Sequence, residues 1–335
     1  NKEMVRTVRF HQVGEPEVLQ FDEIPLAPLA DKEVSVRIEA IGLNRAEAAF
    51  RRGKYVEKPQ LPARIGYEAA GQITAIGSGV EGLMVGDAVS ILPSFSQNDY
   101  GVYADEAVVP AGAVVKRPEG MSALVGASIW MPYLTAWGAL YDLADIGKGD
   151  AVIIPAASSS VGLAAIALCN RVGAQAIAVT RGTTKRDALL EHGADAVVVS
   201  DEEDIVEAVK ELTGGRGAQV AFDPVAGEWI QQIAEAMGVN GQIFIYGNLS
   251  GHAHQTPFPY GQGMAKGLSV RAYLVFELLR DKARRERAIA GILEGFADGS
   301  IRPITDKVFN LDEIVAAHRY LEASNQFGKV MVEVG

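Results

Sequence analysis

The chain has 335 residues, of which 36 are glycine, five histidine and one cysteine, and its 31 basic against 42 acidic side chains give a net charge of −11. That length is enough for about two domains, and 48 % hydrophobic with 22 % charged residues excludes wholesale disorder. A single cysteine excludes an intramolecular disulfide and a four-cysteine zinc site, and the acidic balance repels phosphate backbones, so no nucleic-acid partner is expected.

The N-terminal stretch Asn1-Lys2-Glu3-Met4-Val5-Arg6 has no apolar core and no cleavage pattern of a secretory signal. The first 125 residues read as β-rich, with half-buried strand patterns at Val34–Ile38 and Gly71–Ile76 and dense punctuation at Gly14, Pro16, Pro25, Pro28, Gly53, Pro59 and Pro62. The pattern changes near Ala123. From Gly149 onward, apolar strands alternate with amphipathic helices: strands at 151–154, 176–179, 196–199, 220–222 and 242–246, helices at 161–172, 184–191, 205–212 and 228–236. Near-continuous Val, Ile and Ala strands joined by helices predict a parallel sheet covered on both faces, the doubly wound α/β architecture that binds nucleotides. Two further helices, 281–298 and 311–323, precede a terminal strand at 329–334, which needs a sheet partner and finds a natural one in the first module. The domains expected are therefore 1–125 completed by 270–335, and 126–269. The uncharged run 151–170 matches a membrane span in length, but Pro155, Ser158-Ser159-Ser160 and Gly162 interrupt it. No membrane partner and a cytoplasmic location are expected.

The first βα turn, Pro155-Ala156-Ala157-Ser158-Ser159-Ser160-Val161-Gly162, carries the chemistry. A dinucleotide site needs small residues there, so that backbone and helix N-terminus approach a diphosphate. In the G-x-G-x-x-G pattern Ala157 and Ser159 replace the first two glycines, and only Gly162 remains. Small residues alone would equally suit a turn that packs helix on strand; the surrounding βαβ repeat is what points to a cofactor. The second strand ends Val179-Thr180-Arg181-Gly182-Thr183-Thr184-Lys185-Arg186, without the acid that accepts from an NAD ribose. Its threonines and cations suit a 2′-phosphate, and the expected cofactor is NADPH (NADP+).

Gly66-Tyr67-Glu68-Ala69-Ala70-Gly71, Gly77 and Gly86-Asp87-Ala88-Val89, followed by a Rossmann half, resemble the medium-chain dehydrogenase/reductase superfamily. Tyr133-Leu134-Thr135-Ala136-Trp137, Phe222-Asp223-Pro224-Val225, Tyr246-Gly247-Asn248-Leu249-Ser250 and Gln326-Phe327-Gly328-Lys329-Val330 resemble its quinone oxidoreductase (zeta-crystallin-like) branch. The resemblance covers essentially the whole chain. It implies a GroES-like β-rich catalytic domain, completed by the C-terminal tail, plus a doubly wound Rossmann domain. Zinc-dependent members place a cysteine in Gly-x-Cys-x-x-Asp and a histidine in Gly-His-Glu. Here the motifs read Gly42-Leu43-Asn44-Arg45-Ala46-Glu47 and Gly66-Tyr67-Glu68, and 90–109 holds no cysteine, so no metal is expected.

By the same resemblance, Asn44 contacts the nicotinamide ribose or carboxamide, Gly247 and Asn248 lie beside the ring, and Val225 and Tyr246 belong to the cofactor site. Thr135 stands near the cofactor, the turn Ala157, Ser158, Ser159, Ser160, Val161 and Gly162 holds the diphosphate, and Thr180, Arg181 and Lys185 hold the 2′-phosphate. Lys329 approaches from the tail, unless it is only a strand lysine. Tyr55 lies eleven residues after Asn44, at the offset of the tyrosine in 2-enoyl thioester reductases; it is either a proton donor beside Asn44 or a packing residue. Tyr67, Trp130, Tyr133 and Phe258 are the candidates to line a substrate pocket. His252 and His254 are expected at the surface, and Cys169 in the core. The function implied is NADPH-dependent hydride transfer to a quinone or α,β-unsaturated carbonyl by a homodimer. A 2-enoyl thioester reductase and a non-catalytic NADPH-binding protein are the alternatives.

Overall fold

A computed structural model describes residues 3–335; Asn1 and Lys2, the start of the stretch inspected for a signal, lie outside the described residues. The chain divides into two units, one formed by Asn1–Met131 with Pro303–Gly335 and the other by Pro132–Arg302.

In the first unit the strand Glu33–Gly42 is the hub. Val34, Val36 and Ile38 alternate into the core, and a register shift against the strand Glu68–Ile76 between Ile38 and Ala40 then brings Ile41 into the same core, while Ala40 packs in a second cluster with Ala70, Ala127 and Met331. The terminal strand Lys329–Glu333 pairs antiparallel with this hub, Met331 opposite Gly42, and parallel with Thr305–Asn310. The tail thus finds its expected partner, and Lys329 is delivered beside Gly42. At Gly42 the strand must be bare: a Cβ there would stand 2.1 Å from the Ala127 carbonyl oxygen and 2.8 Å from Lys329 Cε. Only glycine lets those backbones and the lysine stem converge.

In the second unit six parallel strands lie in the order Ala196–Val199, Gln175–Thr180, Ala151–Ile154, Ala218–Asp223, Met237–Ile245, Ser269–Ala272. This is the doubly wound order, with the switch point between Ala151–Ile154 and Ala218–Asp223. The strand Ala151–Ile154 is buried at all four positions, which is why it reads as continuous rather than alternating apolar. The suspected membrane run resolves into this strand, a turn and the buried helix Ser160–Val172. Among the described residues one other stretch, Ala123–Leu143, is long and apolar enough to cross a membrane, and 78 % of its most apolar window is buried.

The unit boundaries differ from those expected. Ser269–Ala272 forms the sheet's sixth strand and the helices Phe276–Arg280 and Lys282–Asp298 follow it, so residues 270–302 belong to the second unit. The first unit runs past residue 125 because Ser90 and Glu68 bind the backbone of Gly126, Trp130 and Met131.

Candidate active site

The expected diphosphate turn has the local geometry of an anion site. Ser159 caps the helix Ser160–Val172, its Oγ accepting from the Gly162 amide at 3.1 Å. Gly162 cannot carry a side chain, because a Cβ would meet the Ala157 carbonyl oxygen at 2.6 Å. Ala156 takes up the turn's left-handed conformation at φ +49°, an unusual conformation for a residue with a Cβ. Lys185 arrives from the end of the second strand and places Nζ 3.1 Å from Ser158 Oγ. The same loop exposes Arg181 and half-buries Thr180. A cation, hydroxyls and the free amides of a thirteen-residue helix therefore converge at one end of the sheet. Val225 and Tyr246-Gly247-Asn248 are brought together at the adjacent strand ends. Asp223 accepts from the Val225 and Ala226 amides, the Tyr246 amide donates to the Asp223 carbonyl, and Gly247 lies so close to Pro224 that a Cβ would stand 2.7 Å from its carbonyl oxygen. Tyr246 stacks on Phe222, with its buried hydroxyl unpartnered. Thr135 is buried, its carbonyl bound by the Tyr273 hydroxyl at 2.8 Å.

The first unit holds a second constellation, built on Asn44 at the start of the helix Arg45–Arg51. Lys329 Nζ donates to Asn44 Oδ1 at 2.5 Å and pairs with Glu68 Oε1 at 2.8 Å, and neither charged side chain is more than 1 % exposed. Asn44 Nδ2 donates to the Gly42 carbonyl at 3.2 Å and to Glu68 Oε1 at 3.4 Å. Glu68 Oε2 accepts from the Trp130 and Met131 amides, each at 2.9 Å. Lys329 is therefore part of the polar cluster and not a bystander on the strand. Tyr55 and Tyr67 are brought together as well, close enough for each phenol to perturb the other. Burial, followed by the neighbouring tyrosine for Tyr55, pushes both phenols well above their usual range, so each holds its proton firmly at neutral pH.

Zinc does not fit this cluster. Asn44 and Tyr67 occupy the positions of thiolate and imidazole, and the Lys329 ammonium already lies against Asn44, where a divalent cation would meet a fixed positive charge. Among the described residues no three His, Cys, Asp or Glu side chains are grouped to hold a metal ion.

The four pocket candidates differ widely in burial. Trp130 and Tyr133 are 0 % and 2 % exposed and belong to the core. Phe258, between Pro257 and Pro259, is 61 % exposed. Only Tyr67 of that group lies beside Tyr55. Cys169 is buried, and burial raises its thiol well above the usual range; His252 and His254 are exposed. Sequence reasoning missed Glu68, Glu47, Tyr103 and His318. The signal available for Glu68 was its place after Tyr67 in the Gly-x-Glu motif; for the others none exists short of the tertiary structure.

Residues 30–119 match the alcohol dehydrogenase GroES-like domain, and residues 160–291 match the zinc-binding dehydrogenase family. A quinone oxidoreductase-like protein 2 homolog from Nematostella vectensis is 32 % identical, over 98 % of this chain and 88 % of its own length. The chain belongs to the zinc-free quinone oxidoreductase branch of the medium-chain dehydrogenase/reductases. The family label of residues 160–291 therefore describes a lineage in which zinc is common, while this chain's cluster carries a lysine. Among solved structures, quinone oxidoreductase from Escherichia coli, complexed with NADPH, is 28 % identical and superimposes with a TM-score of 0.91, over 98 % of this chain and 99 % of that one. An NAD-dependent alcohol dehydrogenase superimposes at 0.88 with 30 % identity, over 98 % of this chain and all of that one.

Proposed function

We propose that this oxidoreductase takes hydride from NADPH and delivers it, without metal, to a quinone or an α,β-unsaturated carbonyl. The observation that carries the cofactor choice is the Lys185–Ser158 contact, with Arg181 on the same loop: a cation reaches the diphosphate turn from the position where an NAD site carries an acid. NADPH supplies the hydride; the chain supplies position and protons. Ser158, Ser159, Ser160, Val161 and Gly162, with the helix amides, hold the diphosphate, and Thr180, Arg181 and Lys185 hold the 2′-phosphate. Val225, Tyr246, Gly247, Asn248 and Thr135 border the remainder of the dinucleotide. Asn44, oriented by Lys329 and Glu68, presents its amide to the ribose or carboxamide.

Hydride addition to the β-carbon of an enone leaves an enolate, which needs one proton. Tyr55 Oη carries that proton, and Tyr67 is the neighbouring phenol that flanks it. A quinone's oxygens take their protons from water, so Tyr55 there is a contact and not a donor. The Tyr55–Tyr67 pair favours enone chemistry, and 2-enoyl thioester reduction is the second reading it supports.

Following NADPH absorbance with an ortho-quinone, a para-quinone, a 2-alkenal and crotonyl-CoA tests these readings. Oxidation is expected with a quinone or the alkenal, and more slowly with NADH. In Tyr55→Phe, alkenal turnover is expected to fall about 100-fold while quinone turnover changes by less than about threefold. Activity confined to crotonyl-CoA would move the assignment to the thioester reductases. Binding of NADPH with no acceptor turnover at all would leave a non-catalytic protein.

A further inference from the structure

The polar cluster contains two fully buried carboxyls and one ammonium. Glu47 and Glu68 are both 0 % exposed, and Lys329 lies against Glu68. Glu68 is fully served, taking the ammonium and Asn44 Nδ2 on one oxygen and two backbone amides on the other. Glu47 is not. Its Oε1 accepts from the Tyr103 hydroxyl at 2.9 Å and from the Asn44 amide at 3.2 Å, whereas Oε2 has no partner. A bare carboxylate oxygen away from water, with its only cation committed elsewhere, is the arrangement in which a carboxyl keeps its proton.

The direction of the hydrogen bonds behind Glu47 is fixed from outside. Arg51 Nη1 can only donate, so at 2.5 Å it gives its proton to Nδ1 of His318. The neutral ring then carries its proton on Nε2, which donates to the Tyr103 oxygen at 3.0 Å, and the Tyr103 hydroxyl is left to donate to Glu47. His318 stays neutral, because burial, reinforced by the Arg51 charge, pushes it from 6.5 down to about 3. Glu322 balances Arg51 at the far end.

We propose that Glu47 is a neutral carboxylic acid at physiological pH, protonated on Oε2, and that it is a positioning residue whose ionisation disturbs Asn44 and Lys329. Asn44 opens the helix that carries Glu47, and the Asn44 amide binds the Glu47 carboxyl directly. A charge on Glu47 offers Lys329 a second anion and competes with Glu68 for it. The groups facing Glu47 agree in sign with this arrangement. Burial pushes the carboxyl up to about 8 and the Glu68 charge adds to that, against the Lys329 charge, the Tyr103 hydroxyl and the Asn44 amide. Tyr55 and Tyr67 are in turn raised by a charge on Glu47. Since the folded carboxyl titrates above its ordinary 4.5, its contribution to stability is complete below about 4.5 and is lost as pH rises through about 8.

Difference infrared spectroscopy of the full chain in D2O, between about pH 6 and about pH 10, reads the proton directly. The wild type is expected to lose a protonated-carboxyl C=O band, and Glu47→Gln to lack that band. Persistence of the same band in Glu47→Gln, or its absence from the wild type, overturns the assignment. If Glu47→Gln fails to fold, Tyr103→Phe decides. Loss of the hydroxyl that favours the ionised form is expected to move the band's midpoint to higher pH, and an unmoved midpoint overturns the proposal. The positioning role has its own readout. The kcat/KM for NADPH is expected to fall above about pH 8 in the wild type, and that fall to vanish in Glu47→Gln; an identical fall in both overturns it. This kinetic arm rests on the function proposed above, whereas the infrared arm does not. A carboxyl band without any NADPH turnover would keep the protonation assignment and remove the reductase.

Discussion

Replacing Lys329 by methionine is expected to destabilise the protein by about 3–5 kcal/mol, the loss typical of removing one partner of a buried ion pair. Lys329 and Glu68 are 1 % and 0 % exposed, so water cannot take the ammonium's place. The variant would leave Glu68 as an anion held only by Asn44 Nδ2 and the Trp130 and Met131 amides. Adding Glu68→Gln to Lys329→Met is expected to restore part of the loss, because the second change removes the orphaned charge. Urea denaturation of the four members of this double-mutant cycle measures the coupling. A Lys329→Met protein as stable as the wild type would show that the pair does not carry the cluster. Activity should fall further than stability alone accounts for, since Asn44 Oδ1 loses its donor at the same time.

Exchanging the two loop cations is expected to have the largest effect on the cofactor. In Arg181→Ala/Lys185→Ala, kcat/KM for NADPH should drop about 100-fold or more, while NADH turnover stays within about threefold. Lys185 should account for most of the drop. Its Nζ is already placed on Ser158, whereas Arg181 is exposed and its attraction is screened by solvent. Measured at two ionic strengths, the Arg181→Ala effect should shrink with salt more than the Lys185→Ala effect. Equal losses with both cofactors would mean that the loop recognises something common to them and not the 2′-phosphate.

The second unit was legible almost strand by strand because its elements announce themselves locally. A buried parallel strand is a short uninterrupted apolar run, and a helix has its own period, so Ala151–Ile154, Ser160–Val172 and Ile205–Leu212 fall within a residue of their expected limits. The strand Met237–Ile245 was underestimated: Gly238, Asn240 and Gly241 interrupt the pattern in its first half, and the pairing with Ala218–Asp223 shifts register there. The pocket aromatics were not legible. Trp130, Tyr133 and Phe258 are all large aromatic side chains, and whether such a ring faces a core, a ligand or water depends on what the rest of the chain puts against it.

By itself the sequence determined the two architectures, the family, the small-residue turn with its basic strand end, and the loss of both zinc-ligand residue types at Asn44 and Tyr67. These are properties of neighbouring residues, and short-range pattern records them. Only the tertiary structure decided how the polar cluster is wired. Asn44 and Lys329 are 285 residues apart and Arg51 and His318 are 267 apart, and they meet because the terminal strand pairs with Glu33–Gly42 and its preceding helix lies against the core. Gly162 is the position where a backbone carbonyl lies within 2.6 Å of a would-be Cβ, while Ser159 serves better than glycine by capping the helix. Likewise the single cysteine, which at first excluded disulfides and zinc cages in general, now has a local counterpart. The place where relatives set a metal is closed by a lysine, two carboxyls and an asparagine, and the balance of charge among them follows from burial, which no linear pattern encodes.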